Sequence, residues 1–565
     1  MMFFQKSSWI WINKEDNANE YAEFKTVFSF KNAEKALLRI SSDGIYNAEL
    51  NGVVVGFSGC ADYPYYKFFD EIDLTGYAKE ENELIISVWH LGENSYTYVK
   101  DSAGVIFEVE IDGKIVSHSS RDTLSRKIEG YDGEYKKYIT YQIGYGFLFD
   151  ANKKNLPYGS SVEVDKTLDL HKRNIKGLVL GNRLPVGIIK RENSVIIDMG
   201  REVAGFLELD FNSAKKQEIV FAYGEHLQDG GVRRIIGDRD FSVVYVARSG
   251  ENKYLNLFRR IAGRYIEIFS ESPIDFNYVG IRPVNYPVKA AVKKFSDPLL
   301  QKIYDVSVDT LRLCMHEHYE DCPWREQSLY AMDSRNQMLC GYYAFENGNY
   351  DYARHNLVLI SKGLREDGLL SICSPAGLDV PIPFFSLIYI KQVYEYVLYS
   401  GDRTVLDEIG YAVKTIFDTF NVKIEENGLI RSFPYPYWNF YEWAEESDNA
   451  WQIKRKADDR SEESFDLILN CAYVYAAEAY GKLFGVKIDT ENIKRAIKRV
   501  FYCGGKFKLS TKTEKTSQLG TAFAVLIGLG DEETAKGIID DDKTIKATLS
   551  MRAFIYDALL SLGDK

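Results

Sequence analysis

The sequence predicts a multidomain protein in which two antiparallel β-sandwich or jelly-roll domains precede an all-α domain. The length of 565 residues exceeds what one hydrophobic core usually organises. Strand-like alternation with turn signals fills roughly the first half, and helical spacing of apolar residues begins near Phe295. We therefore expect domains at residues 1–150, 151–292 and 293–565.

The first two domains are predicted from alternating runs of apolar and polar residues. In residues 1–150 these runs include ELIISVWHLG and GVIFEVEIDGKIVSHS, and Asn51-Gly52 and Asp112-Gly113 are hairpin signals between them. Residues 151–292 continue with SVIIDMG, GFLELDF and QEIVFAYGE. Short strands separated by turns in this way are typical of β-sandwiches.

The last domain is predicted from about ten helical segments joined by short loops. Examples are NYDYARHNLVLISKGL and PFFSLIYIKQVYEYVLYSGD. Consecutive helices on short loops pack antiparallel, so hairpins are expected. One helix is predicted to run from Pro323 to about Phe345, because proline suits a first helical turn and Asp321 could cap it.

Composition excludes several classes of partner. The net charge of −12 disfavours binding to a nucleic-acid backbone, which needs a basic surface. No apolar run could span a bilayer, and the N-terminus lacks the pattern of a signal peptide. Seven cysteines without a CxxC pair indicate reduced thiols, so a cytoplasmic protein is expected. His316 and His318 have the wrong spacing for a helical metal site, and no metal is expected.

One stretch, EDCPWREQSLYAMDSRNQ, concentrates carboxylates beside aromatic residues. On a helix beginning at Pro323, Glu326, Tyr330 and Asp333 would share a stripe bordering the apolar face. Burial and neighbouring carboxylates raise the pKa of a carboxyl group, which is what a general acid in glycoside hydrolysis needs. A capped helix with salt-bridged carboxylates explains the same residues, and spacing alone favours that interpretation.

The stretch resembles the signature of the glycoside hydrolase family 78 α-L-rhamnosidases, roughly D-C-P-x-R-E-R-x-x-W-x-G-D. The acidic positions, the Cys-Pro pair and Arg325 match, whereas Gln327, Tyr330 and Met332 depart from the pattern. RISSDGIYNAELNGVVVG is similar to the family's N-terminal jelly-roll, a carbohydrate-binding-like domain, and IIDMGREVAGFLELDF to the sandwich that follows it. The helices are similar to the family's (α/α)6 toroid.

The resemblance implies inverting hydrolysis of terminal α-L-rhamnosides, a carbohydrate substrate class that requires no cofactor. It implies that Glu326 is the general acid and that Asp321 and Asp333 bind sugar hydroxyls and stabilise positive charge in the transition state. It further places three residues in the substrate pocket: Trp324, Arg325 and Tyr330.

An inverting enzyme also needs a catalytic base, typically ~6.5–9.5 Å from the acid. The family's base is a Glu near a Thr/Trp-rich stretch, and no such stretch is found. The helices number about two fewer than the twelve of six hairpins, so we expect either a toroid that is incomplete at the C-terminus or a protein without the base. In YPYWNFYEWAEESDNAW, Trp438 and Trp443 could stack on sugar and Glu442 could contact it, or the loop could simply pack on the helices.

Two other functions remain open at this point. The departures at Tyr330 and Met332 would permit another exo-glycosidase on the same scaffold. A missing base would permit a non-hydrolytic carbohydrate-binding protein. Release of sugar from a panel of glycosides separates these functions.

Overall fold

The computed structural model describes residues 4–563 except 16, 30–33, 60, 379, 448–463 and 540–542. These residues form two compact units. The first comprises residues 1–329 with 375–378, and the second comprises residues 330–374 with 379–565. The first is rich in strands and the second is helical.

The first unit begins with a sandwich of two sheets. The seven-stranded sheet has the order Val162–Glu163, Ile10–Trp11, Val105–Ile111, Ala36–Ser42, Lys67–Asp73 and Leu170–Lys172, with Lys114–His118 paired to Val105–Ile111. The six-stranded sheet has the order Gly159–Ser160, Leu124–Lys127, Glu20–Ser29, Glu81–His90, Ile45–Leu50 and Val53–Ser58. One continuous core, which includes Trp11, Phe24 and Phe107, is buried in this sandwich.

Both predicted hairpins are confirmed. Asn51 and Gly52 have φ angles of 54° and 77°, and Asp112 and Gly113 have φ angles of 47° and 79°. Positive φ at both central residues is what a two-residue hairpin turn requires, and Asn-Gly and Asp-Gly tolerate it.

A third, eight-stranded sheet completes the β-rich unit. Its order is Leu148–Asp150, Ser242–Ala247, Gln217–Gly224, Gly250–Ser270, Val195–Ser213, Ile274–Asn285 and Val179–Leu180, with Gly187–Lys190 paired to Val195–Ser213. We call it the large sheet. Two-stranded ribbons pair Tyr138–Thr140 with Gly144–Tyr145, Leu227–Gln228 with Gly231–Val232, and Ile235–Ile236 with Arg239–Asp240.

Within the described residues there are ten α-helices, close to the number expected. They are α1 Pro298–Leu313, α2 Ala331–Ala344, α3 Tyr350–Lys362, α4 Pro383–Ser400, α5 Val405–Asn421, α6 Leu467–Phe484, α7 Glu491–Phe501, α8 Gln518–Leu526, α9 Glu532–Ile539 and α10 Arg552–Ser561. A ribbon in the second unit pairs Tyr502–Cys503 with Lys506–Phe507. Helices α4 and α6 pack on each other and are buried along most of their length.

The predicted helix from Pro323 is wrong, because residues 323–326 form a turn and α2 begins only at Ala331. Gln327 has a φ of 56°, a left-handed conformation that interrupts any helix. Asp321 therefore caps no helix, and Glu326 shares no helical stripe with Asp333.

Among the described residues, no helix is long and apolar enough to cross a membrane.

Candidate active site

The segment that carries Glu326 is a closed turn, residues 321–328. The Asp321 amide donates to the Ser328 carbonyl at 2.9 Å, and the Ser328 amide donates to Asp321 Oδ1 at 2.9 Å. The Gln327 amide donates to the Cys322 carbonyl at 3.1 Å. Asp321 thus holds the two ends of the turn together, and residues 324–326 lie at its tip.

Trp324 anchors this turn in the core of the large sheet. Its side chain is 3% exposed, and its ring centroid lies 4.4 Å from that of Phe241. A Cβ at Gly224 would lie 3.3 Å from the indole, so the ring rests directly on that glycine. The packing indicates that Trp324 positions the turn, and its predicted contact with sugar stays a prediction.

Glu326 is the accessible carboxylate of the turn. Its side chain is 20% exposed, and Oε1 lies 3.8 Å from Nη2 of Arg239. Arg325 is exposed, while Thr140 Oγ1 donates to its carbonyl at 3.0 Å and fixes the backbone there. Burial raises the pKa of Tyr141, and the charge of Glu326 raises it further, so the phenol is protonated near this carboxylate.

Two carboxylates of the large sheet, Glu202 within the strand Val195–Ser213 and Glu225 directly after the strand Gln217–Gly224, were missed by sequence reasoning. Val203 pairs with Gly263, and a Cβ at Gly263 would lie 2.7 Å from the Gly224 carbonyl oxygen. This close approach brings the residues next to Val203 and Gly224 close together. The glycine-containing segments GREVAG, inside one strand, and YGEHLQDGG, after another, contained the signal, but only the pairing of distant strands shows that they meet.

The pKa values of both carboxyl groups are raised, and the charge of Glu225 adds to the shift of Glu202. Burial and the charge of Glu225 raise the pKa of Glu202 to about 8. Burial also raises the pKa of Glu225, although Arg325 and His226 oppose the shift. Oε1 of Glu202 is buried without a hydrogen-bond partner in the described part of the chain. Glu202 is therefore protonated at neutral pH.

Glu202→Gln is expected to stabilise the protein increasingly as the pH rises from 5 to 8. The folded state keeps a proton on Glu202 up to a pKa of about 8, whereas the unfolded chain releases it near pH 4.5. The free energy of unfolding of the wild type therefore falls between pH 5 and pH 8, by on the order of 3 kcal/mol. The variant has no carboxyl group at this position and should not show that decrease. Thermal unfolding across this pH range measures it. With exposed Glu192→Gln as the control, parallel curves for the wild type and Glu202→Gln would contradict the assignment.

In the second unit, Tyr330 and Asp333 lie at the start of α2. The Tyr330 carbonyl accepts the Ser334 amide at 2.9 Å, and Asp333 is partly exposed in the first helical turn. The helix dipole stabilises a carboxylate at that position. The ring centroids of Tyr330 and Phe385 lie 6.4 Å apart, edge to face.

The loop between α5 and α6 contains Trp438 and Trp443, the two residues predicted to stack on sugar. The ring centroid of Phe440 lies 4.8 Å from Trp438 and 4.8 Å from Trp443, and 6.1 Å from Phe385. Trp438 is 5% exposed, whereas Trp443 is 70% exposed. Of these two indoles, Trp443 therefore offers the open face that stacking on a sugar requires. Residues 448–451 of the quoted stretch lie outside the described residues.

Glu442 lies between these two tryptophans in the sequence, and its side chain is only 1% exposed. Its Oε2 accepts the amide of Thr548 at 2.7 Å and its hydroxyl at 2.9 Å. Oε1 is buried and has no hydrogen-bond partner among the described residues. Burial raises the pKa of Glu442, while the Thr548 hydrogen bonds and Arg552 oppose the shift. The carboxyl is held by one oxygen, and the other is buried.

The structure thus gathers the predicted residues into three groups. The first group shares one turn of the first unit: Asp321, Trp324, Arg325 and Glu326. The second begins α2, namely Tyr330 and Asp333, and the third shares the loop between α5 and α6, namely Trp438, Glu442 and Trp443. Within the described ranges, no three His, Cys, Asp or Glu side chains are grouped as a metal site requires.

Comparisons with solved structures agree with this fold. The chain is similar to the family 78 rhamnosidase of Bacillus sp. GL1, with a TM-score of 0.86, 17% identity and coverage of 99% of this chain and 85% of that one. It is similar to the α-L-rhamnosidase of Dictyoglumus thermophilum, with a TM-score of 0.76, 18% identity and coverage of 99% and 67%. The Streptomyces avermitilis α-L-rhamnosidase complexed with L-rhamnose gives a TM-score of 0.70, 16% identity and coverage of 96% and 53%.

Two family models match the sequence itself, although no curated protein matches it significantly. Residues 289–547 match the bacterial α-L-rhamnosidase six-hairpin glycosidase domain, and residues 189–279 match the bacterial α-L-rhamnosidase concanavalin-like domain. The second range lies in the large sheet, and the first contains the turn with Glu326. Together the two models match more than half of the chain, which belongs to the α-L-rhamnosidase-like proteins of glycoside hydrolase family 78.

Proposed function

We propose that this protein is an inverting glycosidase that releases terminal α-L-rhamnose, with Glu326 as the general acid. The observation that carries the proposal is the match to the six-hairpin glycosidase domain over residues 289–547, which includes the carboxylate turn. The partial exposure of Glu326 supports it further, because a proton donor must reach the glycosidic oxygen of a substrate.

The roles of the other residues are proposed one by one. Glu326 donates its proton to the departing oxygen as the bond to the anomeric carbon breaks, while a water molecule forms a bond to that carbon from the opposite face and gives up a proton to a base. Asp321 and Asp333 bind sugar hydroxyls, and their negative charge stabilises the oxocarbenium-like carbon. Asp321 also closes the turn through Ser328, so its orientation is fixed before substrate binds. Such preorganisation lowers the cost of reaching the transition state.

The proposed sugar contacts outside the acidic residues differ in how the structure supports them. The exposed ring of Trp443 supports a stacking role. A role for Glu442 in holding a sugar hydroxyl is proposed from its position next to Trp443 in the sequence of the loop; its own side chain is buried, and Thr548 binds Oε2. Arg325 and Tyr330 are proposed as pocket residues on the resemblance alone.

A panel of nitrophenyl glycosides tests the proposal. We expect α-L-rhamnoside to be cleaved at least about tenfold faster than the other sugars, since pocket contacts to hydroxyls discriminate strongly. Proton NMR of the first product should show β-L-rhamnose, because inversion reverses the anomeric configuration. Preference for another sugar would support the alternative of another exo-glycosidase, which the differences from the family signature at Tyr330 and Met332 would permit. Initial release of α-L-rhamnose would contradict inversion.

A further inference from the structure

Arg239 lies beside Glu326 and belongs to the same compact unit. Its Nη2 is 3.8 Å from Glu326 Oε1, and each of the two side chains is 20% exposed. An ion pair at this depth is partly shielded from water, so its attraction is stronger than that of a pair on the open surface. The family signature covers only residues 321–333 and assigns no role to Arg239.

Two packed aromatic rings fix the positions of Arg239 and Glu326. Phe241 comes two residues after Arg239, and Trp324 comes two residues before Glu326. The ring centroids of Phe241 and Trp324 lie 4.4 Å apart, and both side chains are buried in the core of the large sheet. Because cores are closely packed, this contact fixes the two backbone segments relative to each other.

The ribbon that carries Arg239 is held by the carboxylate of the next residue. Asp240 Oδ1 and Oδ2 accept from Arg234 Nε and Nη2 at 2.7 and 2.8 Å, and Oδ1 also accepts from Ser242 Oγ at 2.7 Å. Lys137 forms an ion pair with Asp240 as well. The backbone at Arg239 is therefore held in place before a substrate binds, as electrostatic stabilisation of a transition state requires.

The phenol of Tyr141 lies near both charges of the pair. Burial and the charge of Glu326 raise the pKa of Tyr141, whereas the charge of Arg239 and a hydrogen bond with it lower that pKa. The preceding residue, Thr140, donates to the Arg325 carbonyl in the turn that carries Glu326. Three segments that are distant in the sequence therefore meet at the proposed acid.

We propose that Arg239 is a positioning residue of the hydrolysis, which orients the carboxyl group of Glu326 and stabilises the negative charge that develops on it. The inference rests on the proposed role of Glu326 as general acid. When the proton of Glu326 moves to the glycosidic oxygen, the carboxyl group keeps the electron pair of its O–H bond and becomes negative. The leaving oxygen takes the electron pair of the glycosidic bond and departs as a neutral alcohol. A guanidinium group 3.8 Å away favours this change of charge.

Three variants separate the charge of Arg239 from other effects. Arg239→Met removes the charge, and Arg239→Lys keeps it. Arg233→Met is the matched control, because Arg233 is exposed in the same segment and its loss changes the net charge equally. With methyl α-L-rhamnoside, Arg239→Met should lower kcat at the pH optimum of each variant by about 10-fold to 100-fold. Arg239→Lys should retain most of the wild-type kcat, and Arg233→Met should leave kcat unchanged.

The leaving group decides whether Arg239 acts through proton transfer. Dinitrophenolate departs without a proton, so Arg239→Met should lower kcat for a dinitrophenyl α-L-rhamnoside less than about threefold. In the Glu326→Gln background, Arg239→Met should change kcat for a nitrophenyl α-L-rhamnoside less than about twofold, because glutamine develops no charge. Equal losses on the alkyl and dinitrophenyl substrates, or a loss that persists in the Glu326→Gln background, would overturn the inference. The same follows if Arg239→Lys loses as much as Arg239→Met, or if Arg233→Met loses as much as either.

The pairing itself can be measured without turnover. Unfolding of the wild type, Arg239→Met, Glu326→Gln and the double variant should show a coupling of about 1.5-fold to 5-fold in the unfolding equilibrium constant, as expected of a partly exposed ion pair. Additive effects of the two substitutions would show that Arg239 does not act on Glu326. If no rhamnoside is hydrolysed, the proposed function is overturned separately, and the coupling alone then supports or overturns the pairing of Arg239 with Glu326.

Discussion

Replacing Glu326 with glutamine is expected to lower kcat for a nitrophenyl α-L-rhamnoside by about 10²–10⁴-fold, the usual contribution of a general acid. Glutamine keeps the size and polarity of the side chain but cannot give up a proton to the leaving oxygen. The side chain is 20% exposed and lies 3.8 Å from the Arg239 guanidinium, and glutamine is nearly isosteric with it, so folding should be preserved. Steady-state kinetics and thermal unfolding on the same preparations measure both effects.

The leaving group provides a sharper test of the same assignment. A dinitrophenyl glycoside departs without a proton, so Glu326→Gln should lose much less activity on it than on an unactivated alkyl rhamnoside. Glu192→Gln is the matched control, since Glu192 is an exposed glutamate of the same unit. Equal losses on both substrates, or full activity on the alkyl rhamnoside, would show that another group donates the proton.

The largest effect on stability is expected from breaking the ion pair between Arg335 in α2 and Glu395 in α4. Arg335 Nε and Nη2 donate to the two oxygens of Glu395 at 2.8 and 2.6 Å, and the two side chains are 1% and 10% exposed. Glu395→Leu would leave a buried guanidinium without its partner. We expect a loss of about 3–5 kcal/mol in the free energy of unfolding.

The matched control is the double variant Arg335→Met/Glu395→Leu. Removing both charges removes the desolvation cost along with the attraction, so the double variant should be more stable than Glu395→Leu alone. Urea unfolding followed by far-ultraviolet circular dichroism, which reports mainly on the helices, measures the difference. If Glu395→Leu costs under about 1 kcal/mol, the pair does not hold α2 against α4.

Elements with strong local signals were predictable from the sequence. Asn51-Gly52 specified its hairpin because few other residues accept positive φ at both positions. Helix α3, Tyr350–Lys362, lies within its predicted segment NYDYARHNLVLISKGL, because its apolar residues recur at helical spacing. In these cases the local pattern and the tertiary structure require the same conformation.

The start of α2 was not predictable, because tertiary contacts decide it. Pro323 and the residues after it are compatible with a helical turn, and nothing local excludes one. The turn forms instead because Trp324 is buried against Phe241 and because Thr140 fixes the Arg325 carbonyl. Both partners are distant in sequence. Glu202 and Glu225 were missed for the same reason, since only strand pairing brings them close together.

The burial of Trp324 in the large sheet has a consequence for protein engineering. Glu326, the proposed proton donor, lies two residues after Trp324, so its position depends on packing against the large sheet. The family model that contains Glu326 is nevertheless named for a helical domain. A chimera that exchanges the concanavalin-like region between relatives would also replace the residues on which the Trp324 indole packs. The boundaries of such a chimera should therefore be chosen so that Gly224, Phe241 and Trp324 come from the same parent protein.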